Sequence, residues 1–198
     1  SSTFKHGNKE NFDYTRSGNP NFRILENILK SIEDSKYCTV FGSGISAVTA
    51  ISSTLKSGDK ILCESNLYGC TVRMFEKVFK KFGLEVLYTD FTNENNIKKI
   101  SYFEPTLIWL ESPTNPLLKV LDIKAICDEA NKFEIPVVVD NTFSTALIQK
   151  PLDLGATLSV VSTTKFINGH SDALGGAVLT NNEAVSYTHL RAHETQTH

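Results

Sequence analysis

Short apolar runs alternate with longer segments of helical periodicity along most of this chain. The runs are four or five residues long and predict the following strands: Tyr37 to Phe41, Lys60 to Cys63, Glu85 to Tyr88, Thr106 to Leu110, Val137 to Asp140, Leu158 to Val161 and Ala177 to Leu179. Helical spacing predicts a first helix through the apolar positions Phe22, Leu25, Ile28, Leu29 and Ile32. Further helices are predicted over residues 45–55, 70–82, 95–102 and 123–133.

This alternation of strands rich in Val and Ile with helices predicts an α/β domain with a mostly parallel seven-stranded sheet flanked by helices. In such sheets, ligands bind beyond the carboxyl ends of the strands. Polar residues follow those predicted ends, namely Gly44, Tyr68, Asn115, Asp140 and Lys165. The sequence therefore predicts a site at one edge of the sheet.

The composition narrows the possible partners of this domain. The 198 residues carry a net charge of -2, with 40% hydrophobic and 21% charged residues. We therefore expect no nucleic-acid or membrane partner. The four cysteines form no Cys-x-x-Cys pair. This absence argues against a disulfide framework, predicts no metal site and favours a cytoplasmic location.

Ser162-Thr163-Thr164-Lys165 follows the apolar run Leu158 to Val161. A desolvated lysine amine can bond an aldehyde carbon, and the hydroxyls of Ser162 and Thr164 suit a phosphate. The combination suggests pyridoxal phosphate (PLP), which has both an aldehyde and a phosphate. The ordinary alternative is a strand-edge lysine whose charged head reaches solvent.

Residues 41–47, Phe-Gly-Ser-Gly-Ile-Ser-Ala, link a predicted strand to a predicted helix. Small residues let a phosphate approach the backbone, and a helix N-terminus offers free N–H groups. The segment also matches a dinucleotide-binding pattern, and Glu64 ends the next strand where a ribose partner is expected. A nicotinamide-dependent oxidoreductase and a tight turn without a ligand both remain open.

Asp140 ends an apolar run, residues 135–139, that we expect to be buried on both faces. A buried carboxylate needs a cation or strong donors. A pyridinium nitrogen would suffice, because at about 3 Å and an effective dielectric near ~20 the attraction is roughly 5 kcal/mol. The alternative is a turn or helix-capping role, assisted by Asn141 and Thr142.

Further candidates lie in predicted loops. Tyr68 could stack on a planar ring and exchange protons, and the Asn115 amide could donate to a phenolic oxygen. Tyr14 and Arg16 lie in the irregular opening segment, where an arginine could clamp a phosphate. The ordinary alternatives are a half-buried tyrosine, a rigid proline-fixed turn and a solvated charge.

Taken together, these segments resemble the Cys/Met-metabolism PLP-dependent enzymes, the family of cystathionine γ-synthase, cystathionine γ-lyase and methionine γ-lyase. The resemblance rests on six segments that occur in order: residues 14–20 (YTRSGNP), 43–47 (SGISA), 68–69 (YG), 111–116 (ESPTNP), 139–143 (VDNTF) and 162–172 (STTKFINGHSD). It implies the large domain of PLP-dependent transferase fold type I, the aspartate aminotransferase-like fold.

The resemblance also implies a role for each residue. Lys165 would carry PLP as a covalent aldimine and move protons, Asp140 would hold the ring nitrogen, and Asn115 the phenolic oxygen. Tyr68 would stack on the ring and act as an acid, with Glu111 and Cys70 near the substrate. The phosphate would be bound by Ser43, Gly44, Ile45, Ser162 and Thr164. Tyr14 and Arg16 would reach the active site of a neighbouring subunit, which implies a homodimer or homotetramer.

The implied chemistry is γ-elimination or γ-replacement on sulfur or homoserine-type amino acids. We expect a cystathionine γ-synthase/γ-lyase type of enzyme. Methionine γ-lyase is the close alternative, because Cys70 follows Tyr68-Gly69 as it does in those enzymes. A nicotinamide enzyme and an inactive PLP-fold fragment are the more distant alternatives.

The domain organisation follows from the same resemblance. We expect residues 1–20 to form an arm that contacts a neighbouring subunit and residues 21–184 to form the PLP-binding large domain. Residues 185–198 are expected to be a foreign or disordered tail. The C-terminal small domain, which carries the substrate-carboxylate arginine in the family, is expected to be missing, and this chain alone to be weakly active or inactive.

Overall fold

The structure is a computed structural model that describes Phe12, Tyr14, Thr15 and residues 18–185. In this part of the chain, seven strands form a sheet in the order β1-β7-β6-β5-β4-β2-β3. The strands are β1 Tyr37–Phe41, β2 Lys60–Glu64, β3 Glu85–Thr89, β4 Leu107–Glu111, β5 Val137–Asp140, β6 Leu158–Val161 and β7 Gly176–Thr180. Each predicted strand is confirmed to within a residue or two.

The sheet is parallel from β3 to β6 and antiparallel only at β7. The pairs β2–β3, β2–β4, β4–β5 and β5–β6 are parallel, whereas β7 runs antiparallel to both β6 and β1. Consequently β1 points in the same direction as β6. The carboxyl ends of β1, β2, β4, β5 and β6 therefore lie along one edge of the sheet.

The helices flank this sheet. They are α1 Pro20–Glu33, α2 Gly44–Ser52, α3 Gly69–Lys77, α4 Glu94–Ile97, α5 Ile100–Phe103, α6 Ile123–Asn131, α7 Thr145–Ile148 and α8 Glu183–Val185, with a 3₁₀ turn at Phe79–Phe82. Among the described helices, none combines the length and the apolar character that crossing a bilayer requires.

Two predicted helices are interrupted in the structure. The helix predicted over 70–82 ends at Lys77 and continues as the 3₁₀ turn, which Gly83 closes with a left-handed φ of 86°. The helix predicted over 95–102 is two single turns, α4 and α5, separated by Lys98 and Lys99. Short helices of this kind are stable only through tertiary packing, which the spacing of apolar residues does not report.

The strands β4, β5, β6 and β7 are buried on both faces, as their unbroken apolar runs predicted, whereas the edge strand β3 is partly exposed. Val138 faces the cluster around Trp109 and Phe75, whose rings meet edge to face at 5.4 Å. Val137 and Val139 face the opposite cluster with α6. Burial at about 25 cal/mol per Å² on both faces makes this sheet the main source of stability.

The first helix packs with only part of its predicted apolar stripe. Phe22, Leu25 and Ile28 are exposed, whereas Leu29 and Glu33 are buried. Leu29 joins the cluster formed with β1, β6 and β7. The helix begins at Pro20, with the Asn19 side chain accepting from the Asn21 N–H, and ends at Asp34 in the left-handed region. The helix itself is confirmed, and its buried side is set by the sheet.

Glu33 is an acid buried at the end of α1. It is 2% exposed, and its Oε1 has no hydrogen-bond partner in the described part of the chain. Burial raises the pKa of Glu33 to about 7, partly offset by the nearby Ser159 hydroxyl and by Lys150. Asp153 and Asp34 raise the pKa further. The packing of α1 therefore favours the neutral acid.

We expect the stability of the fold to fall as pH rises through this range. The folded-state pKa is raised from 4.5 to about 7, so the stabilising contribution is complete below pH 4.5 and is lost as pH rises through 7. The loss amounts to about 3 kcal/mol. Urea unfolding at about pH 5 and pH 8 should show a fall in stability that is smaller in Glu33→Gln than in the wild type by most of this amount, because the other buried acids contribute equally in both proteins. Glu85→Gln, at an exposed position, is the matched control, and an equal fall in all three proteins would contradict the assignment.

Candidate active site

A cavity of about 1010 Å³ opens at the edge where the parallel strands end. It brings together nearly all of the residues that the sequence singled out. Those lining it are Ser43, Gly44, Ile45, Tyr68, Cys70, Glu111, Asn115, Asp140, Ser162, Thr164 and Lys165. Tyr14 does not line the cavity, and Arg16 lies outside the described residues.

One wall is the N-terminus of α2 packed against the turn that follows β6. A Cβ on Gly44 would lie 2.7 Å from the Cβ of Ser162, so only glycine permits this approach. Ser43 caps α2 by accepting from the Ser46 N–H at 3.1 Å. The first N–H groups of a helix have no partner within the helix. This wall therefore combines backbone donors, a positive helix end and the Ser162 hydroxyl, which together suit an anion.

The turn from Ser162 to Gly169 holds Lys165. The Lys165 N–H donates to the Ser162 carbonyl at 3.3 Å, and the Gly169 N–H donates to the Lys165 carbonyl at 2.8 Å. The Thr164 hydroxyl donates to the Gly175 carbonyl and accepts from the Gly175 N–H. Lys165 itself lies beyond the end of β6 and is exposed. The desolvation expected from the neighbouring apolar run is therefore not seen, because the strand ends before the lysine.

Asp140 forms part of the cavity floor at the end of β5. It is buried, and its Oδ1 accepts from the Thr142 N–H at 3.0 Å. Burial raises the pKa of Asp140, and the hydrogen bonds from Thr142 oppose that rise. Asp140 therefore has the turn-stabilising role that was considered as the alternative. Its carboxyl group also lines the cavity.

Glu111 lies beside Asp140 because the two are register partners of β4 and β5. Its Oε2 accepts from the Tyr68 N–H at 2.6 Å, which ties the floor to the start of α3. Burial, together with the nearby Asp140, raises the pKa of Glu111 to about 8. The N–H of Tyr68 only partly offsets that rise.

Tyr68, Cys70 and Asn115 form the rim on the α3 side. Tyr68 is 43% exposed, and contact with the Cys70 side chain is the main reason why the pKa of Tyr68 is raised. Asn115 is carried by a loop that closes on itself, since the Thr114 N–H donates to the Lys119 carbonyl and the Lys119 N–H donates to the Thr114 hydroxyl. The rigid turn proposed for this loop is therefore present, and it presents Asn115 to the cavity.

The structure adds residues that the sequence analysis did not single out. The Thr142 hydroxyl accepts from the Ser162 N–H at 2.8 Å, which joins the Asp140 turn to the lysine turn. Thr71 is 1% exposed and lines the cavity, and its Oγ1 has no partner in the described part of the chain. Phe143 and Phe166 meet edge to face at the mouth. Thr142 lies in residues 139–143, one of the six segments that resemble the family, and this position could have indicated it. No sequence signal indicates Thr71.

Glu64 overturns the nicotinamide alternative. Its Oε2 accepts from the Phe91 N–H at 2.9 Å, and its Oε1 accepts from Ser65 and Asn66. The side chain is fully buried and does not line the cavity. This acid holds two loops together, so it cannot receive a ribose hydroxyl. The dinucleotide interpretation was wrong because spacing alone does not show what a carboxylate contacts.

Comparison with known proteins gives a consistent picture. A family model described as Cys/Met metabolism PLP-dependent enzyme matches residues 1–197. The chain is 46% identical over 189 residues to putative cystathionine gamma-lyase 2 of Caenorhabditis elegans, covering 92% of this chain and 48% of that protein. Human cystathionine gamma-lyase is 41% identical over 189 residues, with 93% and 47% covered.

A solved structure supports the same relationship. The crystal structure of cystathionine gamma synthase from Xanthomonas oryzae pv. oryzae, in complex with aminoacrylate and cysteine, superposes with a TM-score of 0.91. The sequence identity is 35%, and the match covers 98% of this chain and 51% of that one. The chain therefore spans about half the length of the relatives that it matches.

The contact between Gly44 and Ser162 gives a prediction on stability. Gly44→Ala should lower the free energy of unfolding by about 1–3 kcal/mol, because the new methyl group must displace Ser162. The better helix propensity of alanine offsets only part of this loss. Gly42→Ala is the control, since nothing lies within 4 Å of its Cβ position. Urea denaturation of both variants checks the prediction. Equal free energies of unfolding would show that Ser162 moves aside without loss of stability.

Proposed function

Because this chain belongs to the Cys/Met metabolism PLP-dependent enzyme family, we propose that it carries the cofactor site of a transsulfuration enzyme. The proposed reaction is γ-elimination or γ-replacement on sulfur or homoserine-type amino acids. A single observation supports this assignment most strongly. Lys165 and Asp140, the two groups that must flank one PLP ring, line the same cavity.

The residues of the cavity fit PLP at both of its ends. The wall in which Gly44 packs closely against Ser162 offers donors suited to the phosphate. The buried Asp140 carboxyl has no ion pair in the described part of the chain, so a pyridinium nitrogen is a suitable partner. We propose that Asn115 donates to the phenolic oxygen and that Tyr68 stacks on the ring.

The chemistry is divided between the cofactor and the chain. PLP, when bound, supplies an electron sink that stabilises negative charge on substrate carbon. The Lys165 amine is the proposed site of covalent attachment to the cofactor aldehyde carbon, and it then moves protons at the substrate Cα and Cβ. The Tyr68 hydroxyl is the proposed acid that protonates the departing γ-substituent. Phe143 and Phe166 line the cavity and contact each other edge to face.

The type of enzyme is proposed to be cystathionine γ-synthase/γ-lyase. Methionine γ-lyase is retained as the second candidate because Cys70 contacts Tyr68 at the cavity rim. Incubation of the full-length protein with cystathionine, homoserine esters or methionine distinguishes them. Keto acid release from methionine alone would favour the second candidate. No turnover of any of the three by PLP-loaded protein would favour an inactive PLP-fold fragment.

The proposal extends to assembly and compartment. We propose a homodimer, or a homotetramer of dimers, in which Tyr14 and Arg16 reach the neighbouring active site. The position of Tyr14 away from its own cavity supports this arrangement. We also propose a cytoplasmic location, which the unbridged thiols of Cys63, Cys70 and Cys127 favour.

Lys165→Ala should abolish covalent PLP attachment. Wild-type protein mixed with PLP should gain a visible absorbance band, and borohydride should fix the cofactor on the peptide that contains Lys165. Lys124→Ala, which removes a surface lysine paired with Asp128, is the control and should behave as wild type. Mass spectrometry that finds the adduct on a different lysine would overturn the assignment.

Mixed assemblies test the sharing of active sites. Arg16→Ala and Lys165→Ala proteins should each be inactive, but unfolding and refolding them together should restore roughly one quarter of wild-type activity. The recovery arises because half of the dimers are hybrids with one intact site. If each site is built from one chain, mixing should restore nothing, which would contradict the proposed arrangement.

A further inference from the structure

Two carboxyl groups lie side by side on the floor of the cavity. Glu111 and Asp140 are register partners at the ends of the parallel strands β4 and β5. They are 6% and 8% exposed, and both line the cavity. In the described part of the chain, no lysine, arginine or histidine lies within ion-pair distance of either group. The other titratable groups that line the cavity are Tyr68, Cys70, Lys165 and Asp172.

The hydrogen bonds of the two acids differ. Asp140 accepts within its own turn, from the Thr142 N–H. Glu111 accepts from the Tyr68 N–H at 2.6 Å, so its carboxyl group connects the floor to the residue that begins α3. Glu111 therefore connects Asp140, its neighbour in the sheet, to the backbone of Tyr68. Asp140 makes no such connection to the rim among the hydrogen bonds of the described residues.

Ionising both of two neighbouring buried carboxyl groups is unfavourable, because the two negative charges repel each other and are poorly solvated. Burial, followed by the charge of Asp140, raises the pKa of Glu111 to about 8. Near neutral pH such a pair therefore shares one proton and one negative charge. A cation placed against Asp140 would cancel the repulsion that helps to keep this proton in place.

We propose that Glu111 is a positioning residue that loses its proton when the cationic ring nitrogen of PLP pairs with Asp140, and that its carboxylate then holds Tyr68 over the ring. The inference rests on the proposed function. The charges balance, since Asp140⁻, neutral Glu111 and the cationic ring become Asp140⁻, Glu111⁻, the cationic ring and one proton. The proton leaves to solvent. A carboxylate accepts the Tyr68 N–H more strongly than a neutral acid does, because the hydrogen bond becomes charge-assisted.

Counting protons during cofactor binding tests this inference without measuring activity. PLP is titrated calorimetrically into the full-length protein near ~pH 7, in buffers that differ in ionisation enthalpy. Wild type should release about one more proton per PLP bound than Glu111→Gln. The glutamine is nearly isosteric, and its carbonyl oxygen can still accept from the Tyr68 N–H. Protons released by Lys165 or by PLP itself are common to both proteins and cancel in the difference.

A PLP analogue in which a C–H group replaces the ring nitrogen provides the matched control. It cannot place a cation against Asp140, so wild type and Glu111→Gln should release equal numbers of protons with it. Infrared difference spectra add a measurement that needs no variant. The band of a protonated carboxyl should disappear from wild type on PLP binding and persist with the analogue.

The possible outcomes separate the inference from the function on which it rests. If PLP binds but the two proteins release equal numbers of protons, the role of Glu111 is wrong and the cofactor assignment stands. If wild type binds no PLP at all, the proposed function itself fails. If Glu111→Gln does not fold, the infrared comparison in wild type decides, and a carboxyl band that PLP leaves unchanged would overturn the inference.

Discussion

The parallel register of β4, β5 and β6 is the constraint on which the cavity depends. Because these strands run side by side, their carboxyl ends bring Glu111, Asp140 and the turn containing Lys165 to one edge. The strands are buried on both faces, so their backbone groups can be satisfied only by the ladder. A shift of register by one residue would turn Asp140 to the other face of the sheet.

The antiparallel strand β7 completes this arrangement. It lies between β6 and β1 and runs against both, which directs β1 the same way as β6. The N-terminus of α2 therefore meets the lysine turn at the same edge. Gly176 and Gly44 allow the close approach there, since a Cβ on Gly176 would lie 2.4 Å from the Ser43 carbonyl oxygen. The close packing of α2 against the lysine turn is thus a consequence of sheet topology and of two positions without side chains.

The two buried acids on the floor of the cavity lower the stability of the fold. Two buried acids are held by backbone N–H groups from Thr142 and Tyr68, and no cation neutralises them in the described part of the chain. Such a pair lowers the free energy of unfolding, and a cationic ligand bound beside it offsets that loss. Lys165 is exposed on the neighbouring turn, which the Thr142 hydroxyl joins to the Asp140 turn by accepting from the Ser162 N–H. The buried and exposed parts of the site therefore share a support at Thr142.

The sequence by itself determined the strands, the parallel class of sheet and most of the cavity lining, because buried strands leave unbroken apolar runs and ligand-binding residues follow strand ends. It also indicated the PLP family through six ordered segments. Only the tertiary structure decided what each polar side chain contacts. Glu64 matched a ribose-binding position yet holds two loops, and the apolar stripe of α1 is largely exposed while Glu33 is buried. Side-chain partners depend on which distant segments meet in space, and a linear pattern carries no information on that.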